Sequence, residues 1–405
     1  MRGCDAIVIK HPTVSGLEHR QTYSLQRCAS DSAVSPAPTF SSPFVIDDQT
    51  TADAAYRMAR DGKALLWRGD FHNARQLLQA MARRVDKRFA SPSAQRADRQ
   101  LPAQSMKETF DQHRLAQGQR AAILNRLLIP FEADYRIPLR RAPDVRQACI
   151  EAYGEWHADE LSPRWLIPLR ELQGIISAHE WRKKGVPVTA LNARIHPHYG
   201  VFAPVRGEYV GLVNEAPLPA ALSDLSLAFD IGTGTGVLAA VLAQRGIARV
   251  IATDQNPRAL ACAVDNLTRL GLAGQVTVMA ADLFPAVRAP LIVCNPPWVP
   301  AQPHSALDEA IFDADNRMLR GFLTGLSAHL TPGGEGWLVL SDIAEHLGLR
   351  TRDELLVMIA SAGLTIAGRL DVRPTHRRTS DTSDPLHAAR AAEVTSLWRL
   401  DAADG

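Results

Sequence analysis

The sequence has 405 residues, 46% of them apolar and 22% charged, which predicts an ordinary globular protein with two domains. Its net charge of +2 is unevenly distributed, because residues 1–200 hold 29 of the 45 lysines and arginines but 21 of the 43 aspartates and glutamates. No apolar run approaches the roughly 20 residues that span a bilayer, and no long apolar stretch follows the first basic residue, so we expect neither a membrane span nor a secretory signal. The five cysteines are scattered without a C-x-x-C pair, which predicts free thiols in the cytoplasm and neither disulfides nor a zinc site.

The first half gives no motif that names a function. Residues 1–48 are rich in Ser, Thr, Pro and Ala without a sustained period and are predicted to be a flexible tail. Apolar residues recur at helical spacing in residues 51–90 and 106–185, and the polar stretch between them, 91–105, is expected to be a loop. We therefore predict that residues 49–194 form a mostly helical accessory domain for substrate recognition.

The second half, residues 195–405, alternates short apolar runs with helical stretches. The runs span 227–231, 249–253, 275–280, 290–294 and 336–341. This alternation predicts an α/β, Rossmann-like, mostly parallel sheet with helices on both faces. The last two runs, 364–372 and 393–400, have no helix-length crossover between them and predict an antiparallel pair at the sheet edge, which completes seven strands with an antiparallel last strand.

A glycine-rich loop, D-I-G-T-G-T-G at 230–236, follows the first of these runs. Its glycines allow a tight turn and a close approach of a ligand to the backbone, and the next helix offers free N–H groups. The predicted cofactor contacts in the loop are Asp230, Gly232, Thr233, Gly234 and Gly236. The spacing G-x-G-x-G differs from the G-x-G-x-x-G of dinucleotide enzymes. A turn that only packs the strand against the helix is the alternative.

Two acidic residues follow the next two runs. Asp254 ends the second run, where a carboxylate can accept both hydroxyls of a ribose. Asp282 follows the third run and is a candidate acceptor for the amino group of adenine, or a helix cap. Their neighbours Gln255 and Leu283 complete the predicted cofactor site.

The motif I-V-C-N-P-P-W at 292–298 follows the fourth run directly. With this motif the sequence resembles the N-methyltransferases of the Rossmann-like superfamily that uses S-adenosylmethionine (SAM), especially the "small domain" family. That family includes protein-glutamine N-methyltransferases acting on release factors and several RNA base methyltransferases. The resemblance covers about residues 195–400 and implies SAM as the cofactor and methyl transfer to a planar nitrogen.

The chemistry of such a transfer accounts for the residues of the motif. The lone pair of an amide or aniline-like nitrogen is delocalised, and two acceptors on its N–H bonds can draw the nitrogen toward a tetrahedral shape. The side-chain oxygen of Asn295, which would also adjoin the cofactor, and the carbonyl of Pro296 are the predicted acceptors. Pro297 fixes the backbone, and Trp298 offers a flat face on which a base or an amide can stack.

The segment 198–213 also resembles the family's segment before the glycine loop, and it places Tyr199, Phe202 and Pro204 as candidate substrate contacts. The pair His196 and His198 has no further ligands in its vicinity, so no metal is predicted.

We expect a SAM-dependent N-methyltransferase acting on a macromolecule, and favour an exocyclic amine of an RNA or DNA base. The basic first half and the basic loop 373–390, with Arg373, Arg377 and Arg378, suggest a polyanionic partner. A solvated arginine-rich surface would give the same counts. The alternatives are a protein-glutamine amide, a small molecule, a protein that binds SAM or nucleic acid without catalysis, and a nicotinamide-dependent dehydrogenase.

Overall fold

The computed structural model describes residues 6–9, 21–25, 43–89, 105–155, 164–303, 308–374 and 381–403. The chain divides into two compact units. The first comprises Met1–Ala103 and Gln112–Glu180, and the second Gln104–Asp111 and Trp181–Gly405. Among the described residues, none of the helices has the length and the apolarity needed to cross a membrane.

The first unit is built on a six-stranded sheet with the strand order β1-β2-β6-β5-β4-β3. Its strands are β1 Ala6–Ile9, β2 Gln21–Leu25, β3 Phe44–Ile46, β4 Leu65–Trp67, β5 Leu127–Glu132 and β6 Arg164–Pro168. The helices of this part of the chain are α1 Ala52–Arg60, α2 Phe71–Phe89, α3 Met106–Leu124, α4 Arg146–Tyr153 and α5 Leu169–Lys184. Strands β3, β4 and β5 run parallel, and β6 pairs antiparallel with β5.

The sequence predicted a mostly helical domain here and did not predict this sheet. The helices of this part of the chain do hold more residues than the strands. Three of its strands lie within residues 1–48, which were expected to be a tail. The run Leu65–Trp67 is buried throughout, and periodicity cannot separate so short a buried strand from a helical segment. Most of the expected tail and of the expected loop 91–105 lies outside the described residues.

The second unit contains a seven-stranded sheet with the order β11-β10-β9-β12-β13-β15-β14. The strands are β9 Leu227–Ile231, β10 Arg249–Asp254, β11 Val276–Ala280, β12 Ala289–Cys294, β13 Leu330–Ser341, β14 Leu364–Val372 and β15 Thr395–Ala402. Strand β15 pairs antiparallel with both β13 and β14, and the other pairings are parallel. The predicted Rossmann-like sheet with its antiparallel last strand is confirmed.

Helices cover both faces of this sheet. They are α6 Glu208–Glu215, α7 Val237–Gln244, α8 Pro257–Arg269, α9 Arg317–His329, α10 Ile343–His346, α11 Arg352–Ser361 and α12 His387–Ala392. Helices α6, α7 and α8 pack on one face, and α9 and α11 pack on the other. Strands β9 and β12 are buried along their whole length, as expected of parallel strands covered on both sides. A hairpin of β7 Val186–Val188 and β8 Ala193–Ile195 precedes the sheet and was not predicted.

The strand order creates a crevice at one edge of the sheet. From β9 the chain moves outward through β10 and β11 and then returns to β12 on the other side of β9. At such a switch point the loops after the two central strands diverge and leave a crevice, where ligands of open parallel sheets bind. Here the two loops are the glycine loop and the Asn-Pro-Pro-Trp motif.

Candidate active site

The glycine loop turns the chain from β9 into α7 through left-handed backbone conformations. Gly232, Gly234 and Gly236 have φ angles of +71°, +53° and +80°. A Cβ atom at Gly236 would lie 3.2 Å from the Cα atom of Ala263 in α8, so this position requires glycine for its space as well as for its φ angle. A Cβ atom at Gly232 would meet the Cε atom of Met318 at 2.5 Å. The loop therefore packs closely against two helices.

Asp230 lies beneath this loop and is inaccessible, with 1% of its surface exposed. Its Oδ2 atom accepts hydrogen bonds from the Thr233 hydroxyl at 2.7 Å and from the Ala239 N–H at 2.9 Å. Burial raises the pKa of Asp230 to about 6, although these two hydrogen bonds oppose the rise. The structure thus places the side chains of Asp230 and Thr233, both predicted as cofactor contacts, where they hold the loop against α7.

Asp254 joins the end of β10 to the glycine loop. Its Oδ2 atom accepts from the Gly234 N–H at 3.0 Å, and its Oδ1 atom accepts from the Asn256 N–H at 2.9 Å. Burial raises the pKa of this carboxyl above its ordinary value. The backbone of Gln255 also donates to this carboxylate, which has about four acceptor sites in all, so a site remains for a ligand hydroxyl.

The remaining predicted cofactor residues lie beside Asp254. The amide of Gln255 donates to Oδ1 of Asp282, which is exposed after β11. Leu283 has a φ angle of +69°, and its carbonyl accepts from the Thr253 hydroxyl at 2.6 Å. The structure therefore brings the ends of β10 and β11 together as one side of the crevice.

The Asn-Pro-Pro-Trp motif forms the other side of the crevice. Cys294, the last residue of β12, is the register partner of Ile231, the last residue of β9. Asn295 therefore leaves the sheet next to Gly232. Asn295 and Pro297 are partly exposed and Pro296 is buried.

Trp298 donates a hydrogen bond from its indole N–H to the Asn295 Oδ1 atom at 2.8 Å. Tyr209 of α6 meets the indole edge to face, with ring centres 6.4 Å apart and an interplanar angle of 87°. The guanidinium of Arg206 lies over the ring, 5.1 Å from its centre. The indole therefore does not present the fully open stacking face that the sequence suggested.

Arg206 is itself held by two carboxylates. It donates to Glu208 Oε1 at 2.9 Å and to Glu393 Oε1 at 3.1 Å, and Glu393 is 2% exposed. The hydroxyl of Ser341 at the end of β13 donates to the same Glu393 oxygen at 2.6 Å. This network, which connects three distant parts of the chain to Trp298, carries no local sequence signal.

The predicted substrate contacts lie along the crevice. The ring of Tyr199 lies 5.6 Å from the guanidinium of Arg258, at the start of α8 beyond Asp254. Because Arg206 lies over Trp298 on the other side, the chain between Tyr199 and Arg206 passes from one side of the crevice to the other. Phe202, which is partly exposed, and Pro204, which is buried, belong to this segment.

The sequence also gave no signal for Asp313, which fixes the loop after the motif. It is buried and accepts from the N–H groups of Met318 at 3.0 Å and Leu319 at 3.1 Å, at the start of α9. Its own N–H donates to the carbonyl of Val299 at 2.9 Å. Among the described residues, no group of three or more His, Cys, Asp or Glu side chains could hold a metal ion.

The residues of this crevice belong to a recognisable domain. Residues 218–351 match the methyltransferase small domain family. The methyltransferase small domain thus includes the glycine loop, Asp254 and the Asn-Pro-Pro-Trp motif, whereas Tyr199, Arg206 and Glu393 lie outside the matched range.

Three curated relatives match a stretch of the chain. A stretch of 137 residues is 38% identical to the release factor glutamine methyltransferase of Cereibacter sphaeroides and covers 30% of this chain and 49% of the relative. A stretch of 146 residues is 34% identical to the tRNA1(Val) (adenine(37)-N6)-methyltransferase of Bacteroides fragilis and covers 32% of this chain and 61% of the relative. The ribosomal protein L11 methyltransferase of Pelotomaculum thermopropionicum is 45% identical over 69 residues, 16% of this chain and 22% of the relative. The chain therefore spans less than two thirds of each.

Proposed function

We propose that the second unit transfers a methyl group from SAM to a planar nitrogen of a macromolecule. One observation carries this proposal: the register of β9 with β12 makes Asn295 and the glycine loop leave the sheet side by side at its switch point. The similarity to methyltransferases that act on glutamine and on adenine N6 supports it.

The residues present fit SAM, which supplies a methyl group on a positively charged sulfur. Gly234 has open space where a side chain would stand, so a ligand can approach the backbone there, and the loop leads into the N-terminus of α7. Asp254 keeps an acceptor site for a ribose hydroxyl. Asp282 has one oxygen engaged by Gln255 and one that can accept from an adenine amino group.

Asn295 and Pro296 would grip the amino group of the substrate. The Asn295 Oδ1 atom has two acceptor sites, of which the Trp298 indole takes one, so the other can accept an N–H of the substrate. The Pro296 carbonyl supplies the second acceptor. Both favour a nitrogen that develops positive charge as it takes the methyl group. Asp230 and Asp313 are buried and bound to backbone N–H groups, so neither serves as a general base.

We propose a nucleic-acid base as the substrate, because residues 1–200 carry 29 basic and 21 acidic side chains. Arg373 is exposed, whereas Arg377 and Arg378 of the same predicted phosphate-guiding loop lie outside the described residues. A glutamine amide is the second candidate, because the release factor glutamine methyltransferase of Cereibacter sphaeroides is one of the relatives. Both substrates carry an NH2 group on an sp2 carbon, and the two acceptors suit either.

The test is methylation of fractionated cell extract with SAM labelled on its methyl group. We expect label in RNA or DNA, no label with Asn295→Ala, and SAM affinity of that variant within about twofold of the wild type by calorimetry. The matched control is Asn214→Ala, at an exposed position of α6, which should retain activity. Label in protein glutamine would favour the second candidate. Full activity of Asn295→Ala, or no binding of SAM by the wild type, would contradict the proposal.

A further inference from the structure

A groove in the first unit lies between helices α1 and α2. Its volume is about 550 Å3, and its walls are formed by Asp53 and Tyr56 of α1 and by Arg84, Lys87 and Arg88 of α2. Residues three and four positions apart share one face of a helix, so the three basic side chains of α2 point the same way.

The charge of this groove is positive. Its one lining carboxylate, Asp53, binds Arg84 Nε at 2.6 Å and is neutralised by that pair. The neighbouring Asp86 binds Arg120 at 2.6 Å instead. Lys87 and Arg88 are exposed, and neither forms a salt bridge with any carboxylate in the part of the chain that the structure describes.

Tyr56 adds an aromatic side chain to this cationic groove. It is partly exposed, on the helix opposite the basic residues. Basic side chains that follow a phosphate backbone, together with an aromatic ring on which a base can stack, are what proteins use to bind single-stranded nucleic acid. An acidic protein surface would offer carboxylates to Lys87 and Arg88 as well, and the experiment below includes that outcome.

We propose that this groove binds single-stranded RNA, with backbone phosphates on Lys87 and Arg88 and a base on Tyr56. This proposal rests on the proposed function with a nucleic acid as the substrate. It assigns to the first unit the role of binding that substrate. Because the contacts are to phosphates and to the face of a base, the groove binds without reading a sequence.

The test uses the full-length chain and a fluorescein-labelled 20-nucleotide polyuridine. We expect the double variant Lys87→Glu/Arg88→Glu to lower the affinity at least tenfold. Loss of two phosphate contacts should also reduce the slope of log affinity against log salt concentration by about 1.4. Tyr56→Ala should weaken binding about fivefold or more, and Tyr56→Phe should retain it.

The matched control is Arg249→Glu/Arg288→Glu, which makes the same change of charge at two exposed positions, the first residue of β10 and the residue before β12, at the sheet edge opposite the crevice. Its affinity should stay within about twofold of the wild type. Basic residues in the last turn also stabilise a helix, so thermal unfolding of each variant is followed by circular dichroism. If the charge-reversal variant Lys87→Glu/Arg88→Glu unfolds, the charge-neutral variant Lys87→Gln/Arg88→Gln is measured in its place.

Unchanged affinity and salt slope in folded Lys87 and Arg88 variants would overturn the proposal, as would an equal loss in the control. Loss of methylation of a protein substrate with RNA binding intact would assign the groove to a protein partner and overturn it too. The two proposals fail separately. Wild-type chain that binds polyuridine through the groove but labels no nucleic acid would refute only the proposed function.

Discussion

The hydrogen bond from the Trp298 indole to Asn295 makes a quantitative prediction about catalysis. Trp298→Phe keeps an aromatic ring between Arg206 and Tyr209 but removes the N–H that holds the Asn295 oxygen at 2.8 Å. A neutral hydrogen bond contributes about 1 kcal/mol net. If this whole contribution is lost from the transition state in which Asn295 binds the substrate amino group, the rate constant falls about fivefold, because about 1.4 kcal/mol corresponds to a factor of ten.

The assay is methyl transfer at saturating SAM to the substrate fraction that takes the label. We expect kcat of Trp298→Phe to fall about five- to tenfold, while its affinity for SAM stays within about twofold. The matched control is Trp398→Phe, a buried indole of β15 that lies between the guanidinium groups of Arg352 and Arg369, at 5.3 Å and 4.6 Å. That variant loses packing of a similar kind but no contact with Asn295, and its kcat should be unchanged.

A result that separates Trp298 from Asn295 would refute the reasoning. If Trp298→Phe kept the wild-type kcat while Asn295→Ala was inactive, the indole N–H would have no part in positioning the amide. If SAM affinity and kcat fell together, the indole would support the cofactor site as a whole.

Two further predictions concern the glycine loop. Gly236→Ala should lower the free energy of unfolding by about 2–3 kcal/mol, because the backbone there has a positive φ angle and the new Cβ atom would meet Ala263. Gly234→Ala also has a positive φ angle but open space, so it should lower the free energy of unfolding by only about 1 kcal/mol. Equal losses in urea denaturation would contradict this. The pKa of Asp230 is raised from 3.8 to about 6, so the folded state binds the proton of this carboxyl more tightly than the unfolded state does. Proton binding therefore stabilises the folded state by at most about 3 kcal/mol; this stabilisation is complete below pH 3.8 and is lost as the pH rises through 6. Asp230→Asn should lack that loss in urea denaturation between pH 4.5 and 7.5, and parallel stability profiles of variant and wild type would show that the carboxyl does not titrate there.

The sheet of the second unit could be predicted from the sequence because its strands are buried on both faces. Strands such as β9 and β12 are then continuous apolar runs, and the helices between them fix a parallel direction. Carboxyl ends of parallel strands meet at one edge, which is where Asp254 and Asn295, both predicted beside the cofactor, leave the sheet.

The environment of Trp298 could not be predicted in the same way. Arg206, Tyr209 and Glu393 reach it from segments whose local patterns give no sign of this contact. The first unit was difficult for a different reason. Strands of three residues, such as Phe44–Ile46, are too short to show the alternation that distinguishes a strand from a helix.

The buried carboxylate of Glu393 makes the surroundings of Trp298 depend on a segment almost a hundred residues further along the chain. Until the segment before β15 docks, Arg206 lacks one of its two acidic partners, and the indole of Trp298 lacks a firmly anchored cover. The glycine loop and Asp254 need none of these contacts. A partly unfolded chain can therefore form the glycine-loop side of the crevice first, and the Trp298 side becomes ordered only when the segment before β15 docks.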